Sequence, residues 1–489
     1  MSSVRTRIAP SPSGFLHIGT AKTALYNYLF AKKHGGQFIL RLEDTDVERT
    51  DERFAQGMCE GFEWLGILWD EGPDFGGQPG RGDAGPYRQS QRRDLHRAEA
   101  HRLLDEGKAY KCFASKDEID RFREEHPHAR FESPWRDASP EDIAAQGNTP
   151  YVIRFRVPDG ETVVHDLIQG EVRFKNTEYD DFVILRPNGD PVFHLAVVVD
   201  DAHMKISHII RGDDHLTNAG RHAMLFDALG FERPQFAHHP LVHDEQGKKF
   251  SKRLHGANVL DWREDGYLPE TIVNYVALLG WTSTEENREF FTRDELIEHF
   301  TLERVTKSAA RFDRKKLDWL NGQHIRMLTV DQFRGRIVPI LRKHGFDVDS
   351  KPEAWLTRLA QITQEKVTTL NDITGQVDFF FQEVTNYDEK GIKKQWQKAD
   401  ALDRMKAART KMEAIDEQDW QHDPLYAAFK ALSEETGIGL GKYVNPVRLA
   451  LTGKTVGPGL FELAELLGKE TCLARMDAGM NYIEQMEDT

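Results

Sequence analysis

A strand, a proline-rich loop, a helix and a second strand follow one another within residues 4–44, and this order constrains the fold more than any other feature of the chain. The alternating stretch "SVRTRIA" predicts a strand that ends at Pro10 and Pro12. The apolar residues that follow have helical spacing and would share one face: Ala21, Ala24, Leu25, Tyr28 and Leu29. Gly35 ends this helix, and "QFILRLEDTD" predicts the second strand. Such a unit is the building block of a parallel sheet.

The same pattern is interrupted and then resumes downstream. Residues 72–90 are rich in glycine and proline and indicate a boundary, and residues 91–190 mix helix-like and strand-like pieces, which predicts an inserted α+β module. The buried apolar run "VFHLAVVVDD", the strand "ISHIIRGDDH" and a helix at 218–229 then continue the parallel-sheet pattern. From about residue 325 onward the periodicity is helical, so we predict an α-helical domain there.

Length and composition narrow the classes of protein. The chain has 489 residues, which favours two to four domains. No apolar run approaches the ~18 residues of a membrane span and no signal-peptide pattern opens the chain, so we expect a cytoplasmic location and no membrane partner. Three dispersed cysteines, Cys59, Cys112 and Cys472, suit a reducing compartment and argue against a disulfide scaffold.

A locally basic segment stands out against a net charge of −15. Residues 302–326 hold seven Lys or Arg residues against three acidic ones. Because local clusters matter more than global charge, this segment is a candidate for binding a phosphate backbone. An equally good interpretation from the segment alone is a solvated helix face. The candidate nucleic-acid contacts are Arg304, Lys307, Arg311, Arg314, Lys315 and Lys316.

Two further stretches carry candidate chemistry. His17 lies between the loop "APSPSGF" and the first helix, where the N–H groups of a helix start offer an anion site and an imidazole adds a donor. Lys249, Ser251 and Lys252 lie in the glycine-flanked stretch "GKKFSKRLHG", whose charge suits a polyphosphate. Taken singly, each stretch has a plainer interpretation, an incidental loop histidine and a solvated basic loop.

Taken together, these stretches resemble the two signatures of class I aminoacyl-tRNA synthetases. Six motifs occur in the order and spacing of bacterial-type glutamyl-tRNA synthetases: "RIAPSPSGFLHIGTAKTAL", "RLEDTD", "IIRGDDH", "GKKFSKR", "GYLPETIVNYVALLGW" and "KLDWLNGQHI". The resemblance is strong over residues 4–326 and rests on length and helical character beyond them. Thr20 stands at the last position of the first signature, a variant that the glutamyl branch tolerates.

The resemblance implies a fold class and a division into domains. The expected protein is α/β, with a Rossmann-type parallel-sheet catalytic domain, an inserted α+β acceptor-binding module, a stem-contact region and a C-terminal all-α anticodon-binding domain. In that order, the predicted bounds are residues 1–74 with 191–245, 75–190, 246–325 and 326–489.

The resemblance also implies a reaction, namely ATP-dependent attachment of L-glutamate to tRNA(Glu) through a glutamyl-adenylate, with release of pyrophosphate and AMP. Mg²⁺ is expected to accompany ATP, and the protein is expected to be a monomer without a DNA partner. His17, Lys249 and Lys252 would stabilise charge that develops on the phosphates. The implied ATP contacts are Gly14, His17, Gly19, Thr20, Lys249, Ser251 and Lys252.

Strand ends supply the implied amino-acid pocket, because ligands of open α/β sheets bind outside the carboxyl ends of the strands. By resemblance, Arg7 and Arg211 would bind the substrate γ-carboxylate, and Glu43 with Ser11 would bind its α-ammonium. The alternative is that these residues form salt bridges among themselves. Phe193 stands where the family commonly has a tyrosine, which removes one hydroxyl from the pocket. The stretch "TNAGRH" also departs from the family pattern.

Other functions and a metal were weighed against this interpretation. Some family members hold zinc in the inserted module, but Cys112 has no second cysteine nearby, and with His126 and His128 it makes a poor ligand set, so we predict no zinc. The alternatives are an enzyme that also charges tRNA(Gln), a glutaminyl-tRNA synthetase, a queuosine-modifying paralogue and a catalytically silent tRNA-binding paralogue. The ~160 residues after 325 count against the queuosine enzyme, which lacks an anticodon-binding domain.

Overall fold

The computed structural model divides the chain into two compact units. The described residues are 3–45, 50–76, 79–126, 129–248 and 258–487. The first unit comprises residues 1–264 and 269–314, and the second comprises residues 265–268 and 315–489. The four-part division with its predicted bounds stays a prediction.

The first unit holds the described strands and half of the helices. Its strands are β1 (Arg5–Ile8), β2 (Gln37–Leu40), β3 (Ala109–Cys112), β4 (Val152–Phe155), β5 (Glu161–Asp166), β6 (Gly170–Lys175), β7 (Val183–Leu185), β8 (His208–Gly212), β9 (Gln235–His239), β10 (Val242–His243) and β11 (Ala310–Arg311). Its helices are α1 (Ile18–Lys33), α2 (Glu52–Leu65), α3 (Arg93–Asp105), α4 (Lys116–Glu125), α5 (Pro140–Ala145), α6 (Phe193–His203), α7 (Leu216–Ala228), α8 (Val259–Glu264), α9 (Pro269–Ala277) and α10 (Arg293–His299).

Parallel pairing aligns the strand ends at one edge of the main sheet. β1 pairs with β2, and β8 pairs with β9, in parallel throughout. β8 runs beside β1, where the Ser207 N–H donates to the carbonyl of Arg5 at 2.9 Å. This confirms the predicted parallel-sheet fold, since the strand–loop–helix–strand unit of residues 4–44 and the resumed strands meet in one layer.

Part of the predicted insertion belongs to the same layer. The antiparallel hairpin β5–β6 joins the sheet through a parallel contact between Asp166 of β5 and Phe236 of β9. The other inserted strands form a separate antiparallel sheet in the order β3-β4-β7. Buried residues of both sheets, among them Ile153 and Phe236, belong to one hydrophobic core, so the insertion and the main sheet pack together.

The apolar run "VFHLAVVVDD" is buried as expected, and it forms helix α6 rather than a strand. Leu195 through Val199 are almost fully buried. A short run that is apolar on all sides fits a buried helix as well as a buried strand, so its periodicity does not distinguish the two. The result positions Asp200 and Asp201 at the end of this helix, inside the unit.

The second unit is helical, which confirms the predicted α-helical C-terminal domain. Over its described residues it contains no strand. Its helices are α11 (Arg314–Met327, whose first residue is in the first unit), α12 (Val330–Lys343), α13 (Glu353–Thr363), α14 (Ile373–Phe381), α15 (Glu389–Gly391), α16 (Ala401–Glu413), α17 (His422–Thr436), α18 (Gly441–Thr452), α19 (Leu460–Leu467) and α20 (Lys469–Glu487). Across the described ranges, no helix combines the length and hydropathy needed to cross a membrane.

Candidate active site

A cavity of about 920 Å³ lies in the first unit and receives residues from the ends of four neighbouring strands. The predicted site residues among its lining are Arg7, Ser11, His17, Gly19, Thr20, Glu43, Phe193 and Arg211. Gly14 lies in the same loop as Ser11, outside the lining. The structure therefore brings together residues that the sequence separates by up to about two hundred positions.

His17 caps the first helix through its own ring. Its Nδ1 accepts from the N–H groups of Gly19 at 3.1 Å and Thr20 at 3.3 Å. With Nδ1 as an acceptor the ring proton lies on Nε2, which is 3.0 Å from Oγ1 of Thr20. The expectation that these N–H groups are free for an anion is therefore wrong, because the imidazole uses them. The Nε2–H of His17 and the hydroxyl of Thr20 face each other at the helix start, and both residues line the cavity.

Gly19 permits this arrangement. A β-carbon at Gly19 would lie 3.1 Å from Cε1 and 3.2 Å from Nδ1 of His17, closer than ordinary contact. Any larger residue would press on the ring and move it away from the helix start. The glycine of the first signature therefore serves the histidine rather than the ligand alone.

The predicted lysine loop lies outside the described residues, but both of its described flanks adjoin the cavity. Lys249, Ser251 and Lys252 are not described. On the leading side, Val242 lines the cavity. On the trailing side, Asn258 pairs with His17 as an antiparallel bridge. Asn258, the first described residue after this stretch, is thus paired with the first signature.

Arg7 and Glu43 belong to a buried ion-pair network. The guanidinium of Arg7 donates to both carboxylate oxygens of Asp201, at 3.1 and 3.2 Å. Arg41 links the same Asp201, at 2.7 Å, to Oε1 of Glu43, at 3.0 Å. Burial raises the pKa of Glu43, although the charge of Arg41 opposes this effect. The alternative predicted salt bridges among the site residues themselves, whereas Arg7 pairs with Asp201 and Glu43 pairs with Arg41. Arg7 still lines the cavity.

Arg211 is buried without a carboxylate partner. Its Nε donates to Nε2 of His238 at 3.0 Å, Nη1 donates to Nδ1 of His222 at 3.3 Å, and Nη2 donates to the carbonyl of His215 at 3.4 Å. Over the described ranges, no acidic side chain lies within ion-pair distance of Arg211, whose exposed fraction is 6%. Burial, followed by the charge of Arg7, lowers the pKa of Arg211. A guanidinium stays protonated in proteins, so this site holds a cation whose charge is unmatched.

Neutral histidines surround that cation. Burial lowers the pKa of His215 to about 4, assisted by the charges of Arg211 and Arg7 and opposed by Asp214. Burial and the neighbouring cations also hold the pKa of His222 well below its ordinary value. The His222 ring therefore accepts from Arg211, as the backbone carbonyl of His215 does, and neither ring adds a charge near neutral pH.

We expect a pH dependence of stability from His215. Its folded pKa, about 4, lies below the unfolded value of about 6.5, so as the pH falls the unfolded chain takes up the proton first. Stability is therefore lost between about pH 6.5 and pH 4. The variant His215→Asn lacks this titration, so the difference in unfolding free energy between wild type and variant should fall by about 1–2 kcal/mol from pH 7 to pH 5. Urea unfolding at both pH values measures it; an unchanged difference would contradict the assignment.

Phe193 makes the cavity wall beside Arg211 apolar, at the position where a tyrosine of the family pattern would carry a hydroxyl. Phe193 begins α6 with 38% of its surface exposed, and its ring lies 6.4 Å from that of His215 and 5.9 Å from that of His222. Val197, one turn further along α6, also lines the cavity. Polar contacts to a ligand on this side must therefore come from other elements.

Sequence reasoning missed several lining residues. Lys22 is fully buried, and its Nζ donates to the carbonyl of Pro240 at 2.7 Å, which ties α1 to the segment that follows β9. Burial lowers the pKa of Lys22 to about 7. Gln89 and Arg186 also line the cavity. Lys22 lies in the first helix next to its apolar face, and no motif in the sequence marked it as a site residue.

The predicted nucleic-acid contacts are mostly exposed. In the first unit, Arg304 donates to the carbonyls of Thr282 and Ser283, and Lys307 donates to the carbonyl of Gln169. Arg311 is exposed on β11, and Arg314 begins α11. In the second unit, Lys315 is exposed and Lys316 is half-buried on the same helix. Their role in binding a nucleic acid stays a prediction.

Cys112 lies in a buried position of the inserted sheet. Its Sγ is 3.3 Å from Oγ of Ser133. Within the described ranges, no three His, Cys, Asp or Glu side chains gather as a metal site would require. His128 lies outside those ranges, so the absence of zinc stays a prediction.

Comparison with known proteins places this geometry in a family. A model for the catalytic domain of class I tRNA synthetases (E and Q) matches residues 3–319, and a model for an anticodon binding domain matches residues 332–480. The chain belongs to the class I tRNA synthetases. Two relatives resemble this synthetase over 99% of each chain: a glutamate–tRNA ligase of Moorella thermoacetica, 43% identical, and glutamate–tRNA ligase 1 of Caldanaerobacter subterraneus subsp. tengcongensis, 41% identical.

Solved structures agree with the family. A glutamate tRNA ligase from Elizabethkingia meningosepticum, crystallised in complex with its amino acid, is 32% identical and superposes with a TM-score of 0.89. That match covers 98% of this synthetase and 99% of the solved chain. The resemblance inferred from six short motifs is thereby confirmed over the whole length, including the C-terminal part where it rested on length and helical character.

Proposed function

We propose that this synthetase attaches L-glutamate to tRNA(Glu) at the expense of ATP. The α-carboxylate of glutamate attacks the α-phosphorus of ATP, the bond to the β-phosphate oxygen breaks, and glutamyl-adenylate and pyrophosphate form. The terminal ribose hydroxyl of the tRNA then attacks the acyl carbon and releases AMP. The observation that carries the choice of amino acid is Arg211, a buried cation in the cavity wall with no carboxylate partner among the described residues.

Arg211 suits the γ-carboxylate of glutamate. A guanidinium has five N–H donors, and three of these are used by His238, His222 and the carbonyl of His215. One N–H remains on each terminal nitrogen, a fork that matches two carboxylate oxygens. Glutamine would bring an NH₂ group against a donor and leave the cation unmatched, which costs several kcal/mol in a desolvated site. We therefore expect wild type to prefer glutamate by roughly three orders of magnitude.

Other residues that line the cavity would make the remaining contacts with the amino acid. Glu43 carries the carboxylate that would face the α-ammonium, with the hydroxyl of Ser11 beside it. Arg7, whose Nε and Nη2 are held by Asp201, contributes positive potential and its remaining terminal nitrogen. Phe193 would pack on the aliphatic part of the substrate without a hydrogen bond.

The helix start is the proposed phosphate site. The Nε2–H of His17 and the hydroxyl of Thr20 contact each other in this structure, and they would exchange that contact for phosphate oxygens where charge develops. Gly14 and Gly19 keep side chains away from the nucleotide, and Lys249, Ser251 and Lys252 would approach from the loop. Mg²⁺ fits as a companion of ATP, since it retains waters and binds substrate phosphates rather than a protein cage. Among the described residues, no cage of three ligands is present that would hold it independently.

The macromolecular partner is proposed to be tRNA(Glu). The basic residues between Arg304 and Lys316 would contact its backbone. The anticodon binding domain at residues 332–480 counts against a queuosine-modifying enzyme, and the relatives' names give no support to charging of tRNA(Gln). A monomer in the cytoplasm remains our expectation for the state and location of the protein.

Aminoacylation of defined tRNAs tests this proposal. Purified protein is incubated with ATP, labelled glutamate and either tRNA(Glu) or tRNA(Gln) transcript, and labelled tRNA is counted. We expect rapid charging of tRNA(Glu) and little charging of tRNA(Gln). Equal charging of both transcripts would identify an enzyme that also charges tRNA(Gln), and no charging of either would favour a silent tRNA-binding paralogue.

A further inference from the structure

A buried carboxylate, a histidine and Arg211 form a continuous line of hydrogen bonds behind the cavity wall. Oδ2 of Asp166 is 2.6 Å from Nδ1 of His238, and Nε2 of His238 is 3.0 Å from Nε of Arg211. Asp166 ends β5, His238 lies on β9 and Arg211 lies on β8, so the three residues cross three neighbouring strands of one sheet. Asp166 and His238 are outside the cavity lining.

The hydrogen-bond partners of His238 determine which ring nitrogen carries its proton. Arg211 can only donate, so Nε2 of His238 must be the acceptor. The ring proton then lies on Nδ1 and is donated to Asp166. Asp166 is itself fixed, because its Oδ1 accepts from the N–H groups of Ile168 at 2.9 Å and Gln169 at 2.8 Å. These backbone bonds and the bond from His238 hold the pKa of Asp166 below its usual value despite burial.

We propose that Asp166 and His238 are positioning residues that orient the guanidinium of Arg211 for the amino-acid side chain, and thereby set the selectivity for glutamate. Asp166 selects the tautomer of His238, and His238 fixes Nε of Arg211. With Nε held there, and Nη1 and Nη2 each donating once to His222 and to the carbonyl of His215, one N–H of each terminal nitrogen remains for the ligand. This inference rests on the proposed role of Arg211 in the active site.

A neutral acceptor is what this position requires. A carboxylate in place of His238 would cancel the charge of Arg211, as Asp201 does for Arg7, and would compete with the substrate. An imidazole accepts the same hydrogen bond without that charge. The negative charge of Asp166 is kept one ring further away, where it fixes the tautomer while the charge of Arg211 stays available.

Asp166→Asn changes this line with little change in volume. Oδ1 of the amide can still accept from the backbone N–H groups, but the NH₂ group now faces Nδ1 of His238. The histidine must then carry its proton on Nε2, which opposes the N–H of Arg211 donor to donor. We expect the KM for glutamate to rise by about tenfold or more, while the KM for ATP and kcat change less than about threefold.

Two substitutions of His238 separate positioning from packing. His238→Gln can present an oxygen near the place of Nε2 and keep the bond to Arg211, whereas His238→Asn can keep the donor to Asp166 but cannot reach Arg211. We expect a low KM for glutamate in His238→Gln and a raised KM in His238→Asn. His96→Asn is the matched control, because it breaks another buried histidine–aspartate pair, His96 to Asp200 at 2.8 Å, outside the cavity lining.

The experiment measures glutamate and ATP saturation of tRNA-dependent ATP–pyrophosphate exchange for wild type and these variants, with circular dichroism to establish folding. A raised KM for glutamate in Asp166→Asn and His238→Asn, with recovery in His238→Gln, supports the proposal. Unchanged KM values, or equal losses for glutamate, ATP and kcat, overturn it. If Asp166→Asn does not fold, the two His238 variants decide. If Arg211→Ala also leaves the selectivity for glutamate unchanged, the proposed role of Arg211 itself is wrong. If Arg211→Ala lowers that selectivity but the Asp166 and His238 variants do not, only the positioning role is wrong.

Discussion

Replacing Arg211 by alanine is expected to lower kcat/KM for glutamate by about a thousandfold, mainly through a higher KM. Truncating one partner of a buried charge pair costs roughly 2–5 kcal/mol, and each ~1.4 kcal/mol is about a factor of ten. Glutamine never gains from the cation, so its specificity constant should change little. The ratio of the specificity constants for glutamate and glutamine, measured with tRNA present, should therefore fall from about a thousand toward a small number.

Two lysine variants complete this test. Arg211→Lys asks whether charge alone is enough, and Arg5→Lys is the control outside the site. A lysine ammonium is a point charge without the planar fork, and it cannot donate to His238, His222 and the substrate in the same geometry, so Arg211→Lys should recover only part of the ratio. Arg5 begins β1, lies outside the cavity lining and is paired with Glu71 at 2.7 Å, so Arg5→Lys should leave the ratio unchanged. A wild-type ratio in Arg211→Ala would mean that Arg211 is a structural residue.

Substitution of His17 is expected to lower the rate of adenylate formation by about 10²–10³-fold. The ring has two functions, and two variants separate them. His17→Asn can keep the cap, because asparagine accepts well from the first N–H groups of a helix, but it loses the donor at the place of Nε2. His17→Gln can place an NH₂ group near Nε2 but caps poorly. We expect His17→Asn to fold normally and react slowly, and His17→Gln to be less stable but faster than His17→Asn.

Rapid-quench measurement of the first turnover checks this prediction, and thermal melting checks the cap. Thr20→Val is a useful companion, because it removes the hydroxyl 3.0 Å from Nε2 and leaves the backbone N–H that His17 accepts. Near wild-type rates in His17→Asn would contradict a role for the Nε2–H donor, and would reduce His17 to a helix cap.

The fold was predictable where local patterns and strand order agreed. The unit of residues 4–44 shows alternation, a turn and helical spacing in sequence, and each has a local physical cause. The helical C-terminal part was predictable for the same reason. The pairing of the β5–β6 hairpin with β9 was not, because a parallel contact between Asp166 and Phe236 depends on distant chain segments.

Most of the site residues named from motifs meet in one cavity, but their electrostatics could not be predicted from the sequence. Motif resemblance identified Arg7 and Arg211 as equivalent ligands of one carboxylate, yet the structure pairs Arg7 with Asp201 and leaves Arg211 among neutral histidines. Asp201 lies at the end of α6, whose sequence is an apolar run without a motif. The spacing of residues therefore could not predict its ion pair with Arg7. His238 likewise appears in the sequence as one of several histidines.

The most direct test of the account is tRNA-dependent ATP–pyrophosphate exchange by the wild-type protein, with glutamate, glutamine and aspartate as alternative amino acids. Exchange requires reversible formation of an adenylate, and the three amino acids differ in side-chain charge and length. We expect exchange with glutamate at a specificity constant about a thousandfold above that for glutamine, and only weak exchange with aspartate. Exchange that is equal for glutamate and glutamine, or absent with all three when tRNA(Glu) is present, would contradict it.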